Sequence, residues 1–99
     1  MPDIRIQREH TLGLEAARDI AARWTAEAEA RFGLRCACER GDAGDTVRFQ
    51  GPGVNGTLHV GGDRFELHAA LGFLLGGFAR RIEDEIGRNL DALLGARQG

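Results

Sequence analysis

Residues 71–94, LGFLLGGFARRIEDEIGRNLDALL, decide the fold because they hold the longest helical pattern in the chain. Apolar side chains recur there every three or four residues, which is the spacing of one face of an α-helix. The members of this stripe are Leu71, Leu75, Phe78, Ile82, Ile86, Leu90 and Leu93. A one-sided helix needs an apolar surface to lie on, and the segments before it are expected to supply that surface.

Five earlier segments alternate apolar and polar residues, and this period of two predicts strands with one buried face. They comprise residues 4–8, 34–39, 47–50, 54–60 and 65–68. Glycine-containing turns at residues 41–45, 51–53 and 61–63 separate the last four segments. If the last turn centres on Gly62 and Asp63, His59 faces Glu66 and Thr57 faces His68 across a hairpin.

A first amphipathic helix is predicted between the first and second strands, over residues 14–32. Its apolar side carries Leu14, Ala17, Ile20, Ala21, Trp24, Ala28 and Phe32. Thr11 is the predicted N-cap, because its hydroxyl can accept a hydrogen bond from a free amide of the first turn. Gly33 is expected to end the helix in the left-handed conformation that glycine adopts without strain.

The predicted element order is β-α-β-β-β-β-α, which defines an α+β fold of one domain over residues 1–99. Strands with one apolar face and two amphipathic helices favour two layers. We therefore expect an antiparallel sheet of about five strands with both helices on one face. Because the second helix is the longer and more apolar, we expect it to cover the centre of the sheet.

The charge balance argues against a protein that tracks nucleic-acid phosphates. The chain has 13 basic and 15 acidic residues, a net charge of -2 and a pI near 5.9, whereas nucleic-acid-binding domains usually present a basic face. No window is apolar enough for a membrane span, and the first residues lack the pattern of a signal peptide. We expect a cytoplasmic protein with no nucleic-acid partner and no membrane span.

No set of residues has the spacing of a catalytic or metal site. Cys36 and Cys38 share one strand face, but no second Cys or His pair accompanies them, so we expect them to pack in the core. His59, Glu66 and His68 are predicted to share the polar sheet face, where such a cluster can bind a metal or move a proton. We favour three solvated side chains, and we predict no catalytic residue, no metal and no cofactor.

The start of the last helix offers a candidate contact surface. Phe73 lies roughly 160° from the centre of the apolar stripe at 100° per residue, with Leu74 and Gly77 on its flanks. The glycines beside it disfavour a helix interior, which suggests that another backbone or a flat apolar surface approaches there. Phe73, Leu74 and Gly77 are therefore candidate partner-binding residues. We nevertheless favour the alternative that Phe73 folds under the loop before the helix.

Three motifs together resemble the polyhydroxyalkanoic acid system proteins, small bacterial proteins whose genes lie near those for polyhydroxyalkanoate granule synthesis. The first motif is His10-Thr11-Leu12-Gly13 before an Ala/Arg-rich helix. The second is the strand 53–60, GVNGTLHV, and the third is 71–75, LGFLL, where this chain has Gly72 in place of a frequent proline. The resemblance spans roughly residues 4–95. It implies a role in polyhydroxyalkanoate storage and supplies no catalytic residue.

Two classes of function follow from these expectations. The leading hypothesis is a non-enzymatic protein that binds the granule surface, a granule-associated protein or a second copy of itself. The alternative is a module that binds a small apolar or acyl ligand between the last helix and the sheet, although Trp24, Phe49, Phe65 and Phe78 are expected to fill that space. RNA binding and an enzyme that uses His59, Glu66 and His68 are the weaker alternatives.

Overall fold

A computed structural model describes residues 3–98 and, within them, every side chain except those of Leu74 and residues 96–98. Its elements follow the predicted order. The strands are β1 (Asp3–Glu9), β2 (Arg35–Glu39), β3 (Gly44–Gly51), β4 (Val54–Gly61) and β5 (Arg64–Leu71). The helices are α1 (Leu14–Phe32), a 3₁₀ helix (Phe73–Phe78) and α2 (Ala79–Gln98).

The strands form one antiparallel sheet of five strands in the order β1-β5-β4-β3-β2. Alternate residues along the strands point to the two faces, and the residues on one face are buried against the helices. That face includes Ile4, Ile6, Val47, Phe49, Leu58, Val60, Phe65, Leu67, Ala69 and Leu71. The predicted α+β class, element order and antiparallel sheet are therefore confirmed.

Helix α1, rather than α2, lies over the centre of the sheet. It contacts mainly β4, the middle strand, whereas α2 contacts β1 and α1. The prediction that the last helix covers the centre is wrong, because the order of the strands determines which helix lies there. Since β1 and β2 are at opposite edges, the helix that connects them must cross the middle of the sheet.

The last strand continues further than predicted, and the last α-helix begins later. Leu71 belongs to β5 and pairs with Val54, because the period-two alternation of that strand continues through Ala69 and Leu71. The Gly72 N–H then donates a 2.7 Å hydrogen bond to the Gly53 carbonyl, which turns the chain away from the sheet. Residues 73–78 form a 3₁₀ helix, and the regular α-helix begins at Ala79.

The start of α1 also differs from the prediction. Gly13 occupies the N-cap position with φ 84°, no side chain caps the helix, and Thr11 is exposed. Backbone contacts with the β4–β5 turn hold this end instead, since the N–H groups of His10 and Gly13 donate to the carbonyls of Asp63 and Gly62. At the other end, Gly33 adopts the predicted left-handed conformation.

An ion pair ties α1 to the beginning of β3. The Nε and Nη2 atoms of Arg18 each donate a 3.0 Å hydrogen bond to the carboxylate of Asp45, whose side chain is buried. Arg18 also donates to the Gly41 carbonyl, and the Gly41 N–H reaches Asp45. The hydrogen bonds from Arg18 are the main reason that the pKa of Asp45 is lowered.

Helix α2 approaches β1 through a glycine. Gly87 is buried in the helix, and a Cβ placed there would lie 2.9 Å from Nη2 of Arg8. The Arg8 side chain crosses this position and pairs with Asp91 at 2.7 Å. Further along α2, Leu90 and Leu94 complete the core. No helix in the described range 3–98 is long and apolar enough to cross a membrane.

We predict that Gly56→Ala destabilises the protein by about 1–3 kcal/mol, the usual cost of overpacking. Gly56 faces Phe49 across the β3–β4 pair, and the aromatic ring occupies the space above it. An added Cβ would lie 2.7 Å from the Phe49 ring and 2.8 Å from Cα of Ala69. Urea denaturation measures the change. Gly77→Ala is the matched control, because no atom lies within 4 Å of its added Cβ.

We predict that Asp45→Asn lowers the free energy of unfolding at neutral pH by about 1–2 kcal/mol, the scale of a charge-assisted hydrogen bond that remains partly solvated. Because folding lowers the pKa of Asp45, its contribution is complete above the unfolded carboxyl pKa of about 3.9. It is lost as the pH falls through the folded pKa. Unfolding curves of the two proteins should therefore converge below about pH 4. A constant difference at every pH would contradict this assignment.

Candidate functional site

An apolar groove lies between the two helices and one end of the sheet. Its volume is about 200 Å³, and this groove is the candidate site. Trp24, Ala28 and Phe32 line it from α1. The side facing the sheet is formed by Leu34, Phe49, Pro52, Val54 and Leu71, and the C-terminal segment contributes Leu75, Ile82, Glu85, Ile86 and Asn89.

The groove lies where the N-terminal half of α2 is less deeply buried than its C-terminal half. Ile82 and Ile86 are only half-buried, whereas Leu90 and Leu94, further along α2, are buried. The sequence pattern placed Ile82, Ile86 and Leu90 in one core stripe with Leu75 and Phe78, and it chose Leu93 where the structure buries Leu94. The structure instead makes Leu75, Ile82 and Ile86 a wall of the groove, and the Phe78 side chain is 54% exposed.

Two aromatic rings form a rigid part of the lining. The rings of Trp24 and Phe49 meet edge to face, with centroids 5.3 Å apart at 64°, a geometry that aromatic pairs favour. The expectation that Trp24, Phe49, Phe65 and Phe78 fill this space is wrong. Trp24 and Phe49 line the groove, Phe65 is buried in the core, and Phe78 is exposed.

The 3₁₀ helix is held beside the groove by the β3–β4 turn. Gly53 has φ 78° in this turn, and a Cβ there would lie 3.0 Å from the Leu75 side chain. The hydrogen bond from Gly72 N–H to the Gly53 carbonyl joins the same two segments. A side chain at Gly53 would be strained by its positive φ and crowded by Leu75, so glycine is needed to position Leu75.

Two polar side chains of α2 border the apolar lining. Glu85 and Asn89 are four residues apart, so they lie on one face of the helix and both reach the groove. Glu85 is exposed and Asn89 is half-buried. The remaining lining is almost wholly apolar, which suits a hydrocarbon chain with one polar end. The sequence pattern did not identify Glu85 or Asn89 as residues of a groove.

Three phenylalanines with large exposed surfaces belong to the segments that border the groove. Phe73 is 95% exposed, Phe78 is 54% exposed and Phe32 is 47% exposed. Phe73 does not fold under the preceding loop. Gly77 is also exposed, with open space where a Cβ would lie, and the Leu74 side chain lies outside the described residues. The role of Phe73, Leu74 and Gly77 in binding stays a prediction.

The predicted hairpin register is confirmed, because His59 pairs with Glu66 and Thr57 with His68. The three side chains on the open face nevertheless have separate partners. His59 contacts the Thr46 hydroxyl at 3.2 Å, His68 lies 3.5 Å from Asp3, and Glu66 lies 3.7 Å from Arg64. Among the described residues, no group of three or more His, Cys, Asp or Glu side chains is placed to hold a metal ion.

The cysteines are not both packed in the core. Cys36 is half-buried opposite Phe49, but Cys38 is exposed opposite Val47. The prediction fails at Cys38, in a strand none of whose residues is buried. Burial raises the pKa of the Cys36 thiol, with a smaller contribution from Glu29, so Cys36 is a poor nucleophile at neutral pH.

His10 is a buried polar residue whose importance the sequence did not reveal. Its ring is 5% exposed and lies 4.9 Å from the Phe65 ring between centroids. Its Nδ1 accepts a hydrogen bond from the Leu12 N–H at 3.2 Å, which assigns the proton of the neutral ring to Nε2. Nε2 has no hydrogen-bond partner among the described residues. His10 therefore shapes the β1–α1 connection, and its place in the His-Thr-Leu-Gly motif was the available signal.

Comparison with protein-family models shows that residues 4–94 match the family described as "Putative polyhydroxyalkanoic acid system protein". The matched region extends from β1 through most of α2 and includes every residue that lines the groove. Comparisons with curated proteins and with solved structures give no significant match.

Proposed function

Because the chain belongs to the polyhydroxyalkanoic acid system protein family, we propose that it binds the apolar surface of polyhydroxyalkanoate granules in the cytoplasm. In this proposal the protein is not an enzyme, needs no cofactor and acts by occupying the polymer surface. The observation that carries the proposal is the exposure of Phe73, 95% of whose side chain faces solvent beside the apolar groove. A phenylalanine so exposed adds nothing to the stability of the fold, whereas its burial against an apolar partner stabilises the complex.

The energetic scale is sufficient for surface binding. Full burial of one phenylalanine contributes about 1.5–3 kcal/mol, and Phe32 and Phe78 each have about half of their surface available. Together the three rings supply several kcal/mol, which is comparable with the lower estimates of the cost of association. We therefore propose weak, reversible binding that depends strongly on each ring.

The surrounding charges are compatible with an uncharged polyester. The chain is slightly acidic overall, and the lining of the groove contains one ionisable side chain, that of Glu85. Binding by phenylalanine rings should therefore change little with salt, in contrast with binding to nucleic-acid phosphates.

We predict that Phe73→Asp reduces binding to polymer particles by roughly tenfold or more, the equivalent of losing one buried ring. Purified protein is mixed with protein-free poly(3-hydroxybutyrate) particles and with native granules, and the sedimented fraction is measured. His59→Asp is the control, because it introduces the same charge at an exposed position on the open face of the sheet. Thermal unfolding verifies that both variants remain folded.

The two kinds of particle separate the proposed ligand from its rivals. If the unaltered protein binds both kinds of particle and Phe73→Asp binds neither, the result supports the polymer surface as the ligand. Binding to native granules alone indicates a granule-associated protein as the partner, and contradicts the polymer surface as ligand. Equal sedimentation of Phe73→Asp, His59→Asp and the unaltered protein would refute the role of Phe73.

A second candidate function is binding of an acyl chain inside the groove, and the open cavity itself favours it. Its volume of about 200 Å³ is smaller than a drug-sized pocket. A dry cavity of about 150 Å³ accommodates benzene, which has six carbons. By this comparison, the groove accommodates an alkyl segment of roughly six to eight carbons, with its polar end near Glu85 and Asn89.

We predict that 3-hydroxyoctanoate saturably changes the fluorescence of Trp24. This residue is the sole tryptophan of the chain and lines the groove, so its emission reports directly on occupancy. Val54→Phe should weaken the response because it fills part of the cavity, and His59→Phe on the open face is the matched control. A linear response without saturation, or equal responses from both variants, would exclude this second function.

A further inference from the structure

The outer edge of β2 is an unpaired strand edge. In the sheet order, β2 pairs with β3 on one side only. None of its five residues is buried, and no other described segment pairs with its outer side. Free N–H and C=O groups along such an edge readily accept a further strand. The opposite edge, β1, differs because α2 lies against it.

The sequence of β2, Arg35-Cys36-Ala37-Cys38-Glu39, is complementary to itself when two copies run antiparallel. We propose that two copies of this protein associate through β2 as an antiparallel, two-fold symmetric pair centred on Ala37. In this register Arg35 faces Glu39 of the second copy, and Cys36 faces its Cys38. The contact therefore contains two opposite-charge pairs on the open face and two thiol pairs on the helix face.

Charge selects this register over its neighbours. Two-fold pairing in a continuous sheet requires that one residue of the strand face its own copy. If the two-fold axis lay at Arg35 or Glu39, that residue would face its own copy and like charges would be opposite each other. If the axis lay at Cys36 or Cys38, neither Arg35 nor Glu39 would face an opposite charge across the contact. The Glu39 side chain is 63% exposed even while it contacts Arg48 at 3.1 Å, so its carboxylate remains available to a second partner.

A second copy would also cover exposed apolar side chains beside β2. Cys38 points to the helix face but is exposed, and Phe32, just before the strand, is 47% exposed. A second sheet that continues from β2 brings its own helix layer to the same side, because the two-fold axis is normal to the sheet. Pairing along one short strand buries less than a standard interface, so the dimer is expected to be weak, with a dissociation constant on the order of micromolar or higher.

The dimer would place both grooves on one side of a continuous sheet. Two weak contacts on one rigid body bind an extended surface more tightly than either contact alone. This consequence rests on the proposed function. The dimer itself does not, and its test contains no granule, polymer or acyl ligand.

Thiol cross-linking tests the register directly. Diamide is the oxidant. It accepts the two electrons and two protons that are released when the Cys36 thiol of one copy and the Cys38 thiol of the other form a disulfide bond. Mildly alkaline solution is used because burial raises the pKa of Cys36. Cys36→Ser and Cys38→Ser should each form little covalent dimer alone, since each remaining thiol faces a serine. An equimolar mixture of the two variants should regain the cross-link, because Cys38 of one chain then faces Cys36 of the other.

The outcomes are distinct. Random collision would cross-link Cys36→Ser alone through its exposed Cys38 as fast as the mixture, and that result would overturn the proposal. Arg35→Glu should weaken association by roughly tenfold through two like-charge contacts, and Arg35→Glu/Glu39→Arg should restore it. Arg5→Glu, an exposed charge reversal on β1 at the other edge, is the control. Sedimentation that shows only monomer at all concentrations, or no rescue by the double variant, would also refute it.

Discussion

The packing of α1 on the middle of the sheet is the constraint on which the rest of the structure depends. Its inner face carries Ala17, Ala21 and Ala28, all buried, so the helix backbone approaches β4 closely. Trp24 fills the remaining space and contacts Phe49. Once α1 occupies the centre, α2 has only the side near β1 to cover, and it packs there against β1 and α1.

The groove follows from this division of space between the helices. Helix α2 is anchored at its C-terminal half by Leu90 and Leu94 and at Gly87 by the close approach of Arg8. Its N-terminal half lines the groove with Ile82 and Ile86, and the 3₁₀ helix contributes Leu75. Leu75, Ile82 and Ile86 are therefore half-buried. An apolar opening bordered by exposed phenylalanines is suited to contact with an apolar partner.

The structure explains the physical role of residues in the motifs that resemble the family. Gly56 lies beneath the Phe49 ring in the β3–β4 pair, where a Cβ does not fit. His10 is buried against Phe65 and accepts a hydrogen bond from the Leu12 N–H, which stabilises the turn into α1. Both motifs thus maintain the scaffold. The exposed residue of the third motif, Phe73, has no such structural role, which is why the proposed function depends on it.

Much of the fold was predictable from sequence because it depends on local patterns. Alternation along the strands and the Gly62-Asp63 turn set the register of β4 and β5 correctly, since a slip of one residue would expose Phe65 and Leu67. The candidate site was only partly predictable. Its position opposite the helical stripe made Phe73 a candidate, and its role stays a prediction, whereas the places of Glu85, Asn89 and Phe32 at the groove were not predicted. Their place at the groove depends on how the two helices pack together, which periodicity does not encode.

The sequence by itself determined the family, the element order and which face of β1, β3, β4 and β5 is buried, because these follow from residue types and their spacing along the chain. It did not do so for β2, none of whose residues is buried. Tertiary structure alone decided the rest. Strand order put β1 and β2 at opposite edges, which forced α1 across the centre and left α2 to one side. For that reason the 71–94 stripe is divided: Leu71 completes a strand, Leu90 closes the core, and the residues between them border an open groove.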